Sequence, residues 1–167
     1  RDLLEITIPE KVESIHDRDY ISTGYSTGDY YGAFGNCESL KKVTFNSDKI
    51  TIGTMAFWRC TSLEEVIFNG VVESIGGGAF YGCPVISIVI PDSVLEIDYH
   101  TDVTAHDGAF ENCKHLVEVV LGNGLTAISS STFEGCSALT DVSFGDSVSY
   151  IDTYAFHDCD SLEYIAI

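Results

Sequence analysis

Six cysteines are the residues of this 167-residue chain best placed for chemistry. They stand at Cys37, Cys60, Cys83, Cys113, Cys136 and Cys159, with successive gaps of 23, 23, 30, 23 and 23 residues. A structural zinc site calls for paired ligands such as Cys-x-x-Cys, and no such pair occurs. Disulfides are disfavoured by the even spacing. It puts every thiol in the same slot of a repeated unit, where parallel side chains would have to twist toward each other to bridge. The spacing predicts a buried ladder of free thiols, each behaving as a small apolar residue. A second cluster, Asp98, His100, Asp102, His106 and Asp107, combines imidazole with carboxylate, the donors a zinc or other divalent ion takes. Its spacing fits no metal motif and lacks the Asp-x-Asp-x-Asp-Gly order of a calcium loop. The expectation is a solvated acidic loop, with His100, Asp102, His106 and Asp107 as weak metal candidates and no metal or other cofactor required. No Gly-x-Ser-x-Gly elbow, phosphate-binding glycine loop or His-Glu-x-x-His is present. The run Gly76 to Gly78 lacks the lysine of a phosphate loop. The chain reads as a non-enzyme.

What positions the cysteines is an internal repeat. Aligned on them, the segments read AFGNCESLKKVTF, AFWRCTSLEEVIF, AFYGCPVISIVI, AFENCKHLVEVVL, TFEGCSALTDVSF and AFHDCDSLEYIAI. A second element separates them, ending in Ile15, Ile52, Ile75, Ile97, Ile128 and Ile151. The opening LLEITIPEKVESI is the tail of one further unit. Two periods coexist in each unit. Ala56, Phe57, Cys60 and Leu63 fall on one face of a short helical turn. Val66 and Phe68 then alternate as the inward residues of a short strand. No unit can bury its apolar face alone, but stacked neighbours can. Phe34, Phe57, Phe80, Phe110, Phe133 and Phe156 would then form a continuous spine. The expected fold is an α/β, right-handed leucine-rich-repeat solenoid: a parallel β-sheet of about seven short strands, an extended return, and short helical turns on the other side.

Composition bounds the partners. Apolar residues make up 45% and charged residues 20%, an ordinary globular balance, and 26 acids against 8 bases give a net charge of −18. That field repels nucleic acid and anionic lipid and suits basic protein patches or divalent cations, besides keeping the chain soluble. No apolar run approaches the roughly 18 residues that span a bilayer. Residues 1–167 are read as one domain, a fragment of a longer solenoid, interrupted at about 16–32 and 98–108. Three residues normally separate the isoleucine from the Ala-Phe pair, whereas 17 follow Ile15 and 11 follow Ile97. One residue is missing after Cys83. The first insertion carries Tyr20, Tyr25, Tyr30 and Tyr31, a residue type suited to recognition surfaces. Both insertions leave the unit at one corner, where solenoids often place binding loops.

Residues flanking the inward strand positions should line an exposed sheet face. One row is Glu5, Lys42, Glu65, Ser87, Glu118, Asp141 and Tyr164; the next is Thr7, Thr44, Ile67, Val89, Val120, Ser143 and Ala166. An acidic row beside an apolar strip has the make-up of a protein-binding surface. The candidate binding residues are therefore Tyr20, Tyr25, Tyr30, Tyr31, Glu65, Ile67, Val89, Glu118, Val120 and Asp141.

The shared pattern Ala-Phe-x-x-Cys-x-x-Leu-x-x-Val, spread over the whole chain, resembles the bacterial BspA-like class of leucine-rich repeats. The resemblance implies a cell-surface or secreted adhesin-like interaction protein, with host extracellular matrix or plasma proteins as the partner class. The alternative from a different class is a structural spacer, a repeat segment of a larger protein with no binding site of its own.

Overall fold

A computed structural model describes residues 3–15, 32–97 and 108–165. Among them run twelve short strands: β1 (Glu5–Ile8), β2 (Ser14–Ile15), β3 (Lys42–Phe45), β4 (Ile50–Ile52), β5 (Glu65–Phe68), β6 (Val72–Ile75), β7 (Ser87–Ile90), β8 (Glu96–Ile97), β9 (Glu118–Leu121), β10 (Ala127–Ile128), β11 (Asp141–Ser143) and β12 (Tyr150–Ile151). Every pairing is parallel and matches the repeat: Val43 stands beside Val66, and Ile88 beside Val119. Alternation makes these strands. In β7 the sequence Ser-Ile-Val-Ile buries Ile88 and Ile90 and exposes Ser87 and Val89.

The solenoid differs from expectation in three respects. First, the extended return is itself a strand. Beside the wide row β1, β3, β5, β7, β9, β11 runs a narrow row β2, β4, β6, β8, β10, β12, and each row is a parallel sheet in two pieces. Second, six of the seven expected wide strands form; the last segment is described only over Leu162–Ile165, which lies outside any strand. Third, the Ala-Phe-x-x-Cys segments are not helical, and no helix occurs among the described residues. Their amides are shared between two directions. The N–H groups of Met55, Phe57 and Arg59 donate to Gly77, Ala79 and Tyr81 of the next coil, at 3.0, 2.8 and 2.8 Å. Those of Ala56, Trp58 and Cys60 turn back to Gly53, Met55 and Phe57. A helix needs every N–H for its own ladder and every φ negative, but Met55 and Arg59 sit at φ 54° and 51°. The apolar spacing that suggests a helical face is produced instead by successive tight turns.

Each sheet breaks once, where the repeat itself is irregular. The wide sheet loses its ladder between β5 and β7, just after the residue missing behind Cys83. The narrow sheet loses its ladder between β8 and β10, across the second insertion. There the Ser129 hydroxyl donates to the Ile97 carbonyl.

The core passes through both breaks. The six phenylalanine rings stack face to face, with successive centroids 5.1, 5.4, 5.3, 5.5 and 5.4 Å apart. The 5.3 Å step joins Phe80 to Phe110 across the long gap. Phe57, Phe80, Phe110 and Phe133 are completely buried. Close coil contact also demands glycine at Gly108, where a methyl group would collide with the Ser131 carbonyl.

Truncating Phe110 to alanine should cost about 3–5 kcal/mol of unfolding free energy in urea titrations. In a double-mutant cycle, Phe80→Ala and Phe110→Ala should couple by about 0.5–1.5 kcal/mol. Strict additivity would mean that the spine is interrupted at the 30-residue gap.

Candidate protein-binding surface

The wide row presents three outward columns, because each unit has the spacing Leu-x-x-Val-x-Phe or an aliphatic variant of it, such as Val85-x-x-Ile88-x-Ile90, with these three positions turned in. The third column is Thr7, Thr44 and Ile67 on one piece of the sheet and Val89, Val120 and Ser143 on the other. The second is Glu5, Lys42 and Glu65, then Ser87, Glu118 and Asp141. Tyr164, expected in this column, is 80% exposed. Ala166 lies outside the described residues. Both expected rows therefore form, each divided where the ladder stops.

The first column was missed by the sequence reading. It runs Lys41, Glu64, Ile86, Val117 and Thr140, joined by backbone hydrogen bonds from each N–H to the preceding carbonyl. The signal was available: two outward positions separate the inward Leu from the inward Val, and only the second was read. The omission matters because Ile86 and Val117 are 52% and 41% exposed. They are neighbours on adjacent coils, while Val89, 62% exposed, stands two columns away with Ile67 and Val120 half-buried in its own column. Glu64, Glu65, Glu118 and Asp141 are exposed on the same face.

The charges of this face are unevenly matched. Lys42 and Glu65 form an ion pair at 3.0 Å, an exposed contact that stabilises by less than about 1 kcal/mol. Glu118 and Asp141 are direct register partners on adjacent strands. Like charges so placed repel; Asp141 accepts a 2.7 Å hydrogen bond from the Thr140 hydroxyl. On this piece of the sheet, exposed aliphatic side chains thus flank a column holding two carboxylates.

The remaining candidates divide by position. Tyr20, Tyr25, Tyr30 and Tyr31 lie outside the described residues, as do Asp98, His100, Asp102, His106 and Asp107. Their anchor points are placed. Ile15 ends β2 and Ile97 ends β8, the outer strands of one four-stranded sheet, so the two insertions leave the same side about 14 Å apart. Among the described residues no group of three His, Cys, Asp or Glu side chains could hold a metal.

Five of the six thiols form the expected buried ladder, Cys37 being half-buried, and the five do more than fill space. The S–H groups of Cys60, Cys83, Cys113, Cys136 and Cys159 point at the carbonyls of Phe34, Phe57, Phe80, Phe110 and Phe133, one coil back, at 3.1–3.2 Å. All six cysteines are free. Each of these five thiols thus links its coil to the preceding turn while its sulfur packs in the core.

This coil-by-coil regularity is also what the comparisons find. The family described as BspA type leucine-rich repeat region, in six copies, matches residues 1–101 and 103–167. The chain belongs to this family. Among solved structures, this BspA-type chain is similar to a leucine-rich cell surface protein of Faecalibacterium prausnitzii, with 25% identity and a TM-score of 0.63 over 86% of the chain. It is also similar to a leucine-rich repeat protein of Bacteroides ovatus, with 27% identity and a TM-score of 0.58 over 96% of the chain. The leucine-rich repeat protein of T. pallidum, 20% identical with a TM-score of 0.60, covers 97% of the chain and shares the fold. The BspA-type chain spans 32%, 48% and 79% of these three proteins in turn. No curated protein matches it significantly. Leucine-rich-repeat proteins generally serve interaction or scaffold roles. No helix among the described residues is long and apolar enough to cross a membrane.

Burial sets the acidity of the BspA-type thiols. It pushes Cys113 up to about 12 and Cys159 to about 11 from the ordinary 9.0. It also raises Cys136 well above that value. Cys83 is raised by its hydrogen bond to Cys60 and by burial, while Cys60 is lowered because that same contact supports its thiolate. A folded-state value above the unfolded one means stability is full below the ordinary thiol range and falls as pH rises toward the folded value. From about pH 9 upward each strongly raised thiol should therefore remove about 1.4 kcal/mol of stability per pH unit. Urea midpoints measured from about pH 8 to 11 should fall, and fall less steeply in Cys113→Ala. Equal slopes for the two proteins would show that the Cys113 thiol is not held protonated in the fold.

Proposed function

We propose that this domain is a non-catalytic protein-interaction module of a bacterial cell-surface or secreted adhesin-like protein. Its partner is a protein that places apolar side chains within a basic surround, and host extracellular matrix and plasma proteins are the class in which to seek it. One observation carries the reading: Ile86, Val117 and Val89 are exposed on one sheet face, with two acids, Glu118 and Asp141, as register partners in the column between them. A regular strand could place polar residues there at no cost to its core. Apolar clusters rimmed by charge are what binding faces retain. The net charge of −18 adds long-range attraction for basic surfaces and weakens with salt. A neighbour of similar fold described as a cell surface protein supports the compartment.

The test is capture of purified matrix and plasma proteins on the immobilised domain, with the double substitution Ile86→Asp and Val89→Asp as control. Both side chains point outward, so melting should stay within a few degrees of the parent. Binding should fall at least tenfold and weaken with added salt. If no such protein binds, or the double variant binds as well as the parent, the sheet face has no partner in this class and the spacer reading replaces it.

A further inference from the structure

The two residues between Phe and Cys of each unit form a corner column apart from the sheet face. In the second of its positions every described rung is left-handed: Asn36, Arg59, Gly82, Asn112, Gly135 and Asp158 have φ between 51° and 70°. Five of the six are Gly, Asn or Asp, the types that tolerate this conformation. Arg59 is the exception. An arginine held where its backbone is strained marks a place to look for function.

Its side chain is not loose. The Arg59 guanidinium lies 4.3 Å from the centre of the Trp58 ring and 5.9 Å from that of Tyr81. The two rings stack at 5.8 Å, and the Tyr81 hydroxyl is fixed by a hydrogen bond from the Asn112 amide at 3.2 Å. The arginine stem runs beside Gly82, 3.7 Å from where a Cβ there would stand. Stacking occupies the face of the guanidinium and leaves the N–H donors on its rim. Yet in a chain of 26 acids, no carboxylate among the described residues forms an ion pair with Arg59.

We propose that Arg59, held on the Trp58–Tyr81 pair, is a binding site for a small ligand bearing a single carboxylate. The planar fork matches a carboxylate through two parallel hydrogen bonds. The Tyr81 ring beside it gives the ligand's body an apolar surface. The net charge of −18 excludes polyanions such as nucleic acid, so a lone carboxylate on an otherwise neutral molecule is the ligand the site admits. This site is independent of the sheet face and needs no protein partner.

Trp58 is the only tryptophan of the chain, so its emission reports directly on the arginine above it. Titration with glucuronate and with N-acetylglycine should change that emission saturably in the millimolar range, whereas glucose should not. The tighter of the two acids tells a sugar acid from a peptide terminus. Arg59→Gln should weaken binding at least tenfold. Arg59→Lys, which keeps the charge but loses the fork, should weaken it several-fold. Ligand-detected NMR follows the same titrations independently of Trp58, and unchanged melting confirms that both variants fold. No saturation with either acid, an equal response to glucose, or undiminished binding by Arg59→Gln would overturn the proposal.

Discussion

Every coil must match the coil beside it, atom for atom, in what it buries and in what its backbone donates. A solenoid has no second layer to absorb a mismatch. Phe57 can be completely buried only because Phe34 and Phe80 lie parallel to it on either side. The same constraint governs the polar groups. An N–H that donates to the next coil is lost to a helix, which is why a segment with helical spacing of apolar residues folds as turns. It also explains the cysteines. A thiol is small enough for the slot and can still donate to the carbonyl of the preceding turn, which alanine cannot.

The constraint acts inward only. Outward positions are held in register but not in type, so the surface can vary while the core repeats. Glycine shows the limit of this freedom. Gly108 faces the Ser131 carbonyl so closely that no side chain fits, whereas the corner rung tolerates Arg59 at the expense of backbone strain. Chemistry at the surface is thus bounded by how near the neighbouring coil's backbone passes.

The fold was legible in the sequence to an unusual depth because repetition multiplies a weak local signal. The cysteine spacing gave the coil length, the Phe-Cys pattern gave the spine, and strand alternation gave the rows through Glu118, Asp141, Val89 and Val120. What was not legible has one cause. Periodicity reports which side chains turn inward but not how the backbone turns them. Residues 56–63 fit a helical face equally well as a helix or as successive turns, and the choice is made by amides that bond across coils. The second sheet was hidden likewise, since runs of two to four residues are too short to show alternation. Ile86 and Val117 were overlooked because the sheet face was read from residues adjacent to the buried strand positions, while the first outward column begins one step earlier. The tyrosine and histidine candidates lie outside the described residues, so their part in any site rests on the sequence alone.

Two of the three irregularities of the repeat meet in a single coil, residues 83–97. The residue missing after Cys83 comes before its wide strand, and the second insertion follows its narrow one. The coil is consequently held to its two neighbours in different ways. β8 pairs with β6 on the N-terminal side, and β7 pairs with β9 on the C-terminal side, so neither sheet crosses the whole coil. Phe80 and Cys83 carry the continuity that the ladders give up. This coil also has the most exposed aliphatic side chains of the described chain: Ile86, Val89 and Leu95 are 52%, 62% and 64% exposed. The deletion and the second insertion each coincide with a lost ladder, whereas β2 and β4 stay paired across the first insertion. Both losses therefore border the coil that exposes Ile86, Val89 and Leu95, and the neighbouring coils hold it through one ladder on each side.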